Sequence, residues 1–309
     1  MSESSSQSMP LAAPPTPALP FARVLLATDT APASDGAVRV AAAIAERHRT
    51  LLSVLSVVEP TPYPLPLTDL AVAPSSQPAV EEELLTQRLQ AVKDQFGRLE
   101  LRLPADVLVE RSEPLSEILV QATARNVELI VLGLGRHAML DRLFGTETAL
   151  HAVRDASVPV LAVPSQRMSA PRHVLVGTDF DASSLAAARA AARLVGPHGR
   201  ITLAHVDAVA DPLPAMLADW PPHVLDRLND AFARMIAQLA LPESVEIDTM
   251  PLAGTVGTEL VGCADRLHAD TIVLGRHTRS LVERLVLGSV TTNVVRHAHC
   301  AVMVVPRDG

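Results

Sequence analysis

Short runs of apolar residues recur along this chain and alternate with longer segments in which apolar residues return every three or four positions. The runs predict buried strands, and the longer segments predict amphipathic helices. In the first half the strands are expected at 23–27, 51–58, 106–110, 128–133 and 158–163, and the helices at 34–48, 80–99, 114–125 and 145–155. In the second half they are expected near 173–178, 201–206, 245–250, 270–275 and 301–305, with helices near 182–195, 221–240, 255–268 and 289–297. This alternation predicts an α/β fold with a mostly parallel sheet and helices on both faces.

The two halves of the chain repeat one pattern. Ala27-Thr28-Asp29 ends the first apolar run of one half, and Gly177-Thr178-Asp179 ends the matching run of the other. Two later features recur in the same order, a Gly-[S/T] pair and a final apolar strand that ends in proline: Gly145-Thr146 with Pro164, and Gly288-Ser289 with Pro306. The sequence therefore predicts two tandem domains. They are called the first copy (21–165) and the second copy (171–307).

Composition agrees with two aliphatic α/β domains. The chain has 309 residues, and its 48% hydrophobic content includes only 2% aromatic residues, which favours buried parallel strands over a β-sandwich. Residues 1–20 are rich in Ser, Ala and Pro and lack the pattern of a signal peptide, so a disordered tail is expected there.

Charge and cysteine content restrict the partners and the compartment. The formal net charge is -8 and the single lysine is Lys93, so no basic stretch exists for a nucleic acid backbone and no nucleic acid partner is expected. No apolar run approaches the roughly 18 residues of a membrane-spanning helix. Two cysteines, Cys263 and Cys300, in so long a chain suggest a reducing compartment. The protein is expected to be cytoplasmic.

The loops that follow strands one and four of each copy are the expected ligand site. In an open parallel sheet, ligands bind beyond the carboxyl ends of the strands, where the strand order reverses. The second copy carries Gly275, Gly288 and Ser289 there, followed by Arg296-His-Ala-His-Cys300 and a strand that ends at Pro306. This stretch resembles the universal stress protein family, whose nucleotide-binding members carry G-x2-G-x9-G-[S/T]. The resemblance covers both copies.

The resemblance implies a fold, a ligand and an assembly. Each copy would be a Rossmann-like domain of the HUP, or adenine nucleotide alpha hydrolase-like, kind, with a five-stranded sheet. The family commonly dimerises through its final strand, so Ser157–Pro164 and His299–Pro306 are expected to pair within this chain as a pseudo-dimer. A further homodimer is left open.

The glycine motif makes physical sense as a phosphate cradle. Glycines let backbone N–H groups approach phosphate oxygens, and a Gly-[S/T] pair at a helix start adds free donors and a positive dipole end. The first copy offers Gly133, Gly135, Gly145 and Thr146. The second copy offers Gly275, Thr278, Gly288 and Ser289. The chain has no Gly-Lys pair, so the motif is not a P-loop.

Both cradles depart from the family pattern. In the first copy Gly135 and Gly145 keep the inner spacing, but Leu132 stands where the first glycine is expected, with Gly133 displaced by one. In the second copy Thr278 replaces the middle glycine. ATP or another adenine nucleotide is expected in at least one copy, and the second is preferred because three of its four motif positions are kept.

Two further positions are assigned by the resemblance. Asp29 and Asp179 would contact the ribose or the adenine end of the nucleotide, although a carboxylate there also caps a turn or helix. Val57 and Val206 line up with the position whose backbone meets adenine, although their side chains alone indicate core.

The pattern of the other reactive side chains does not indicate a metal site or a catalytic site. His297, His299 and Cys300 lack recognisable zinc spacing and are interpreted as a helix end that enters a buried strand. Four arginines flank the glycine loops, namely Arg136, Arg142, Arg279 and Arg284. They either clamp a polyphosphate or are loop charges that lie in solvent or pair with Asp141 and Glu283. No nucleophile-and-base order is present, so the chain is not expected to be an enzyme.

Two functional hypotheses remain open. One is a stress-response module in which nucleotide occupancy changes partner binding or assembly. The other is a nucleotide-independent scaffold in which the degenerate cradles no longer bind and the tandem copies present a surface to another protein.

Overall fold

The computed structural model describes residues 19–60, 77–135, 146–166, 169–207, 221–239, 241–242, 244–276 and 288–307. Its strands are β1 Arg23–Ala27, β2 Leu51–Val58, β3 Asp106–Arg111, β4 Leu129–Leu134, β5 Val160–Pro164, β6 His173–Gly177, β7 Arg200–Asp207, β8 Glu246–Ala253, β9 Thr271–Gly275 and β10 Ala301–Val305. Its helices are α1 Asp35–His48, α2 Gln77–Arg98, α3 Pro114–Ala124, α4 Thr146–Asp155, α5 Ala182–Val195, α6 Pro222–Leu239, α7 Val256–Arg266 and α8 Ser289–His297. Of the tail expected at 1–20, all but residues 19 and 20 lie outside this description.

All ten strands form one sheet in the order β3-β2-β1-β4-β5-β10-β9-β6-β7-β8. Every neighbouring pair is parallel except β5 and β10, which pair antiparallel with Met303 opposite Leu161. The predicted α/β class and the pairing of the two final strands are confirmed. The two copies therefore share one sheet, related by a pseudo-two-fold axis between β5 and β10.

Side chains alternate between two cores, one on each face of the sheet. In β1, Leu26 belongs to the core beneath α1, α2, α5 and α6, and its neighbour Leu25 belongs to the core beneath α3, α4, α7 and α8. Because both faces are covered, the central strands are apolar at nearly every position, which is the pattern expected for parallel strands. None of the helices in the described part of the chain combines the length and apolar character needed to cross a membrane.

Candidate functional site

A cavity of about 680 Å³ opens at the carboxyl ends of β6, β7 and β9 in the second copy, beside the start of α8. It brings together five residues that the sequence assigned to the site: Asp179, Val206, Gly275, Gly288 and Ser289. The remaining lining residues are Gly177, Thr178, Ser184, Ala204, His205, Val256, Leu260, Leu274, Arg276, Val290 and Thr291. The cavity thus has one carboxylate, several hydroxyls and a large apolar wall.

Asp179 is held in place by the turn that follows β6. Its Oδ1 accepts a 2.7 Å hydrogen bond from the hydroxyl of Ser184 and a 3.3 Å bond from the backbone N–H of Asp181. The cap of α5 is Asp181, whose carboxylate accepts from the N–H of Ser184. Asp179 therefore stabilises the turn without capping the helix, and its carboxylate remains exposed at the cavity.

His205 supports the wall of the cavity behind Thr178. Its Nδ1 lies 2.8 Å from the carbonyl oxygen of Thr178, and its ring packs against Phe180 with centroids 4.8 Å apart. Phe180 adopts a left-handed backbone conformation with φ of 66°, which costs about 1–2 kcal/mol for a residue with a Cβ. The turn that presents Asp179 is therefore braced by aromatic packing, which the sequence did not reveal.

The start of α8 faces the same cavity. Gly288 is the N-cap, and its carbonyl oxygen accepts the N–H of Thr292 at 3.0 Å. Ser289, Val290 and Thr291 form the first turn and line the cavity. Backbone N–H groups in a first helical turn have no acceptor within the helix. The positive end of the α8 dipole and these amides are therefore directed at the cavity.

The two described glycines of the second cradle, Gly275 and Gly288, differ in the space that a side chain would have. A Cβ on Gly275 would lie 2.5 Å from the carbonyl oxygen of Ser183, so the packing of α5 against β9 demands glycine there. A Cβ on Gly288 would meet no atom within 4 Å. Only Gly275 is explained by packing within the described chain. Thr278, between them, lies outside the described residues.

The first copy arranges the same positions differently. Ser34, the equivalent of Ser184, is bonded to Thr28 Oγ1 at 2.9 Å and accepts from Gln95 Nε2 at 3.1 Å. Asp29 Oδ1 accepts the N–H of Ala31 at 3.0 Å. The serine that orients the second-copy carboxylate is thus part of a buried network in the first copy.

Other assigned residues of the first copy are described in part. Val57 is 1% exposed and its counterpart Val206 is 8% exposed, so both side chains belong to the core, as their residue type indicates. Gly135 follows the end of β4, and Thr146 begins α4. Gly145 and the four arginines at 136, 142, 279 and 284 lie outside the described residues.

Strand register corrects the expected position of Gly133. Gly133 pairs with Val163 on β5, as Gly275 pairs with Val305 on β10. Gly133 is therefore the counterpart of Gly275, and the expectation that Leu132 occupies that position was wrong. The first cradle is instead one residue shorter after this glycine, because Gly135 follows Gly133 by two positions and Thr278 follows Gly275 by three.

Arg276, directly after Gly275, connects the second cavity to the first copy. Its Nη1 lies 2.9, 2.6 and 3.0 Å from the carbonyl oxygens of Val153, Arg154 and Ala156 at the end of α4. Burial lowers the pKa of Arg276, and the carboxylate of Asp155 opposes that shift. No feature of the local sequence marks this contact, since its partners lie in the other copy.

The described cysteines and His299 lie in different surroundings. Both cysteines are buried and unbridged, and burial raises the pKa of the Cys263 thiol. His299 is exposed, with Nδ1 3.2 Å from Asp265 Oδ2. Within the described part of the chain, no group of three or more His, Cys, Asp or Glu side chains could hold a metal ion.

Comparison with known proteins assigns the family. The model of the universal stress protein family matches twice, at residues 20–164 and 171–306. The chain belongs to this family. It is 34% identical over 147 residues to universal stress protein Rv1636 of Mycobacterium tuberculosis, a match that covers 45% of this chain and 98% of that protein. Universal stress protein MJ0531 of Methanocaldococcus jannaschii is 36% identical over 74 residues, which cover 24% of this chain and 44% of that protein.

Solved structures support the tandem fold of this universal stress protein. A universal stress protein from Archaeoglobus fulgidus superposes with a TM-score of 0.61 at 19% identity and covers 92% of this chain and 96% of its own. A putative universal stress protein from Pseudomonas aeruginosa gives a TM-score of 0.57 at 17% identity, with coverage of 93% and 94%. Both matches extend over both copies.

Proposed function

We propose that this tandem universal stress protein binds an adenine nucleotide, such as ATP, in the second-copy cavity and acts through binding and not through turnover. The observation that carries the proposal is the cavity itself, in which Asp179, Val206 and the start of α8 converge. Its volume of about 680 Å³ falls within the range of roughly 300–1,000 Å³ that is typical of small-molecule sites.

The chemistry of the walls fits the three parts of a nucleotide. Val206, Val256 and Leu260 offer an apolar surface to a base. The fixed carboxylate of Asp179 accepts hydrogen bonds from sugar hydroxyls. The first turn of α8 offers backbone donors and a positive dipole to phosphate oxygens.

We assign the site to the second copy because Ser184 orients the carboxylate of Asp179 there. In the first copy the equivalent Ser34 is bonded to Thr28 and Gln95. The first-copy carboxylate, Asp29, lacks that support. This difference agrees with the preference that motif spacing gives to the second copy.

Binding without turnover is proposed from the groups that line the cavity. Besides hydroxyls, backbone amides and one carboxylate, the described lining includes His205 and Arg276, whose side chains bind backbone carbonyl groups. No lysine lines it, since the single lysine is Lys93 on α2. We place the protein in the cytoplasm because both cysteines are unbridged and buried.

Isothermal titration of the full chain with ATP tests the proposal, with GTP as the base control and Asp179→Asn as the site variant. We expect heat with ATP and an affinity about tenfold lower in Asp179→Asn, equivalent to about 1.4 kcal/mol. Asp29→Asn is the matched control in the other copy and should leave that affinity unchanged. No heat at millimolar ATP, together with no adenine in the purified protein, would favour the nucleotide-independent scaffold.

A further inference from the structure

Helices α4 and α8 contact each other across the pseudo-two-fold axis. α4 begins at Thr146 in the first copy, and α8 begins at Ser289, beside the second-copy cavity. Arg296, in the last turn of α8, donates a 2.8 Å hydrogen bond to Glu147 in the first turn of α4. At the other end of α4, the guanidinium of Arg276 binds the terminal carbonyl groups.

The Arg276 contact is well suited to fix a backbone position. The last carbonyl groups of a helix have no donor within the helix and carry the negative end of its dipole. A guanidinium supplies the missing donors and a compensating positive charge. Nη1 carries two protons and lies within 3.0 Å of three carbonyl oxygens, so its hydrogen bonds are shared among them. The side chain is half-buried, which limits screening by solvent.

The same residue holds the edge of the nucleotide cavity. Its backbone N–H donates a 2.8 Å hydrogen bond to the carbonyl oxygen of Val305, which extends the pairing of β9 with β10 by one residue. Arg276 lines the cavity and follows Gly275 directly. Its backbone is therefore held on one side by the sheet and on the other, through its side chain, by a helix of the first copy.

We propose that Arg276 is a positioning residue through which α4 of the first copy fixes the wall of the second-copy nucleotide site. The inference rests on the proposed function of that cavity. Ligand binding in the second copy then depends on a helix of the first, and a ligand that contacts the wall stabilises the end of α4.

Within the described residues, the position equivalent to Arg276 in the first copy offers no matching contact. The residue that follows Gly133, the counterpart of Gly275, is Leu134, whose apolar side chain is buried. Leucine cannot donate to the carbonyl groups at the end of α8. The two copies therefore differ in how their sites are supported, in addition to their differing glycines.

The test uses the full chain and three variants. Arg276→Gln removes the cation, and Arg276→Lys keeps a positively charged donor. Arg296→Gln is the control, because it removes an inter-copy arginine contact whose residue does not line the cavity. Titration with ATP should give an affinity about tenfold lower in Arg276→Gln than in the wild type. The affinity of Arg276→Lys should be close to that of the wild type, and that of Arg296→Gln should be unchanged.

Hydrogen exchange provides a second measurement that a general loss of stability would not mimic. In the wild-type chain, ATP should slow amide exchange at residues 153–156 of the first copy, and in Arg276→Gln this protection should disappear. Wild-type binding without that protection, or equal affinity in Arg276→Gln, overturns the inference and leaves the proposed function standing. If Arg276→Gln fails to fold, the wild-type exchange result decides. No ATP binding by the wild type overturns the proposed function and this inference together.

Discussion

The hydroxyl of Ser184 donates a 2.7 Å hydrogen bond to the carboxylate of Asp179 at the mouth of the second-copy cavity. The serine also accepts the backbone N–H of Asp179 at 3.1 Å, so the same hydroxyl restrains both the side chain and the main chain of the aspartate. In the first copy, Ser34 bonds to Thr28 instead. Serine at equivalent positions of the two copies thus supports a candidate binding group in one copy and a buried network in the other.

Replacing Ser184 by alanine should weaken ATP binding while the fold persists. The carboxylate of Asp179 would lose its orienting donor, and we expect an affinity about threefold to tenfold lower by isothermal titration. Ser34→Ala is the matched substitution in the first copy. It should leave ATP affinity unchanged but lower the free energy of unfolding by about 1–3 kcal/mol, because Gln95 loses a buried partner. Equal effects of the two variants on ATP affinity would contradict the assignment to the second copy.

Alanine at the two described glycines of the second cradle should affect different properties, stability at Gly275 and ATP affinity at Gly288. Gly275→Ala places a Cβ 2.5 Å from the Ser183 carbonyl oxygen, so we expect destabilisation by about 1–3 kcal/mol in denaturant unfolding. Gly288→Ala has open space and should change stability by less than about 0.5 kcal/mol. Its methyl group would nevertheless obstruct a phosphate at the start of α8 and reduce ATP affinity. A Gly288→Ala variant with normal ATP affinity would show that phosphate does not approach this residue.

Acid should destabilise the protein through His48, which lies at the contact of α1 with α5. Burial lowers the pKa of His48, the carbonyl group of Leu194 opposes this shift and Arg47 adds to it. A histidine whose pKa is lower in the folded state stabilises the fold above its unfolded pKa of about 6.5, and this stability is lost as the pH falls from there towards the folded value. Thermal unfolding between pH 8 and pH 5 should therefore show a steeper decline in the wild type than in His48→Gln. An equal decline in the wild type and in His48→Gln would contradict this assignment.

The two copies should unfold as one unit. Met303 of β10 and Leu161 of β5 are fully buried where the strands pair, and both belong to a core that contains residues of both copies. Met303→Ala should lower the free energy of unfolding by about 2–5 kcal/mol. Calorimetry should show a single transition in the wild type, and two resolved transitions would indicate that the copies are independent.

The sequence predicted the fold closely because the relevant signals are local. The buried strand patterns located β4 within one residue of its observed bounds. The pairing of β5 with β10 was implied by the family resemblance and not by a local pattern. Register is a property of paired strands, so motif spacing alone placed Gly133 one position away from its true counterpart.

The site was predicted less completely. The glycine motif indicated Gly275 and Gly288, and the family resemblance indicated Asp179. The structure brings all three to one cavity, since residues that follow parallel strands meet at one edge of the sheet. His205 and Arg276 were missed. Arg276 acts through carbonyl groups of residues more than 100 positions away, and backbone acceptors of that kind leave no trace in residue type or spacing.

Because β5 and β10 pair within one chain, the association of the two copies does not depend on protein concentration. Two separate chains that met through such a pair of strands would come apart on dilution, and any property of the pair would vary with expression level. Here a short peptide segment keeps the two halves at a constant and high effective concentration. Each copy is always paired with the other copy of the same chain. One copy can therefore lose or change its own ligand site and still provide structural support to the site of the other.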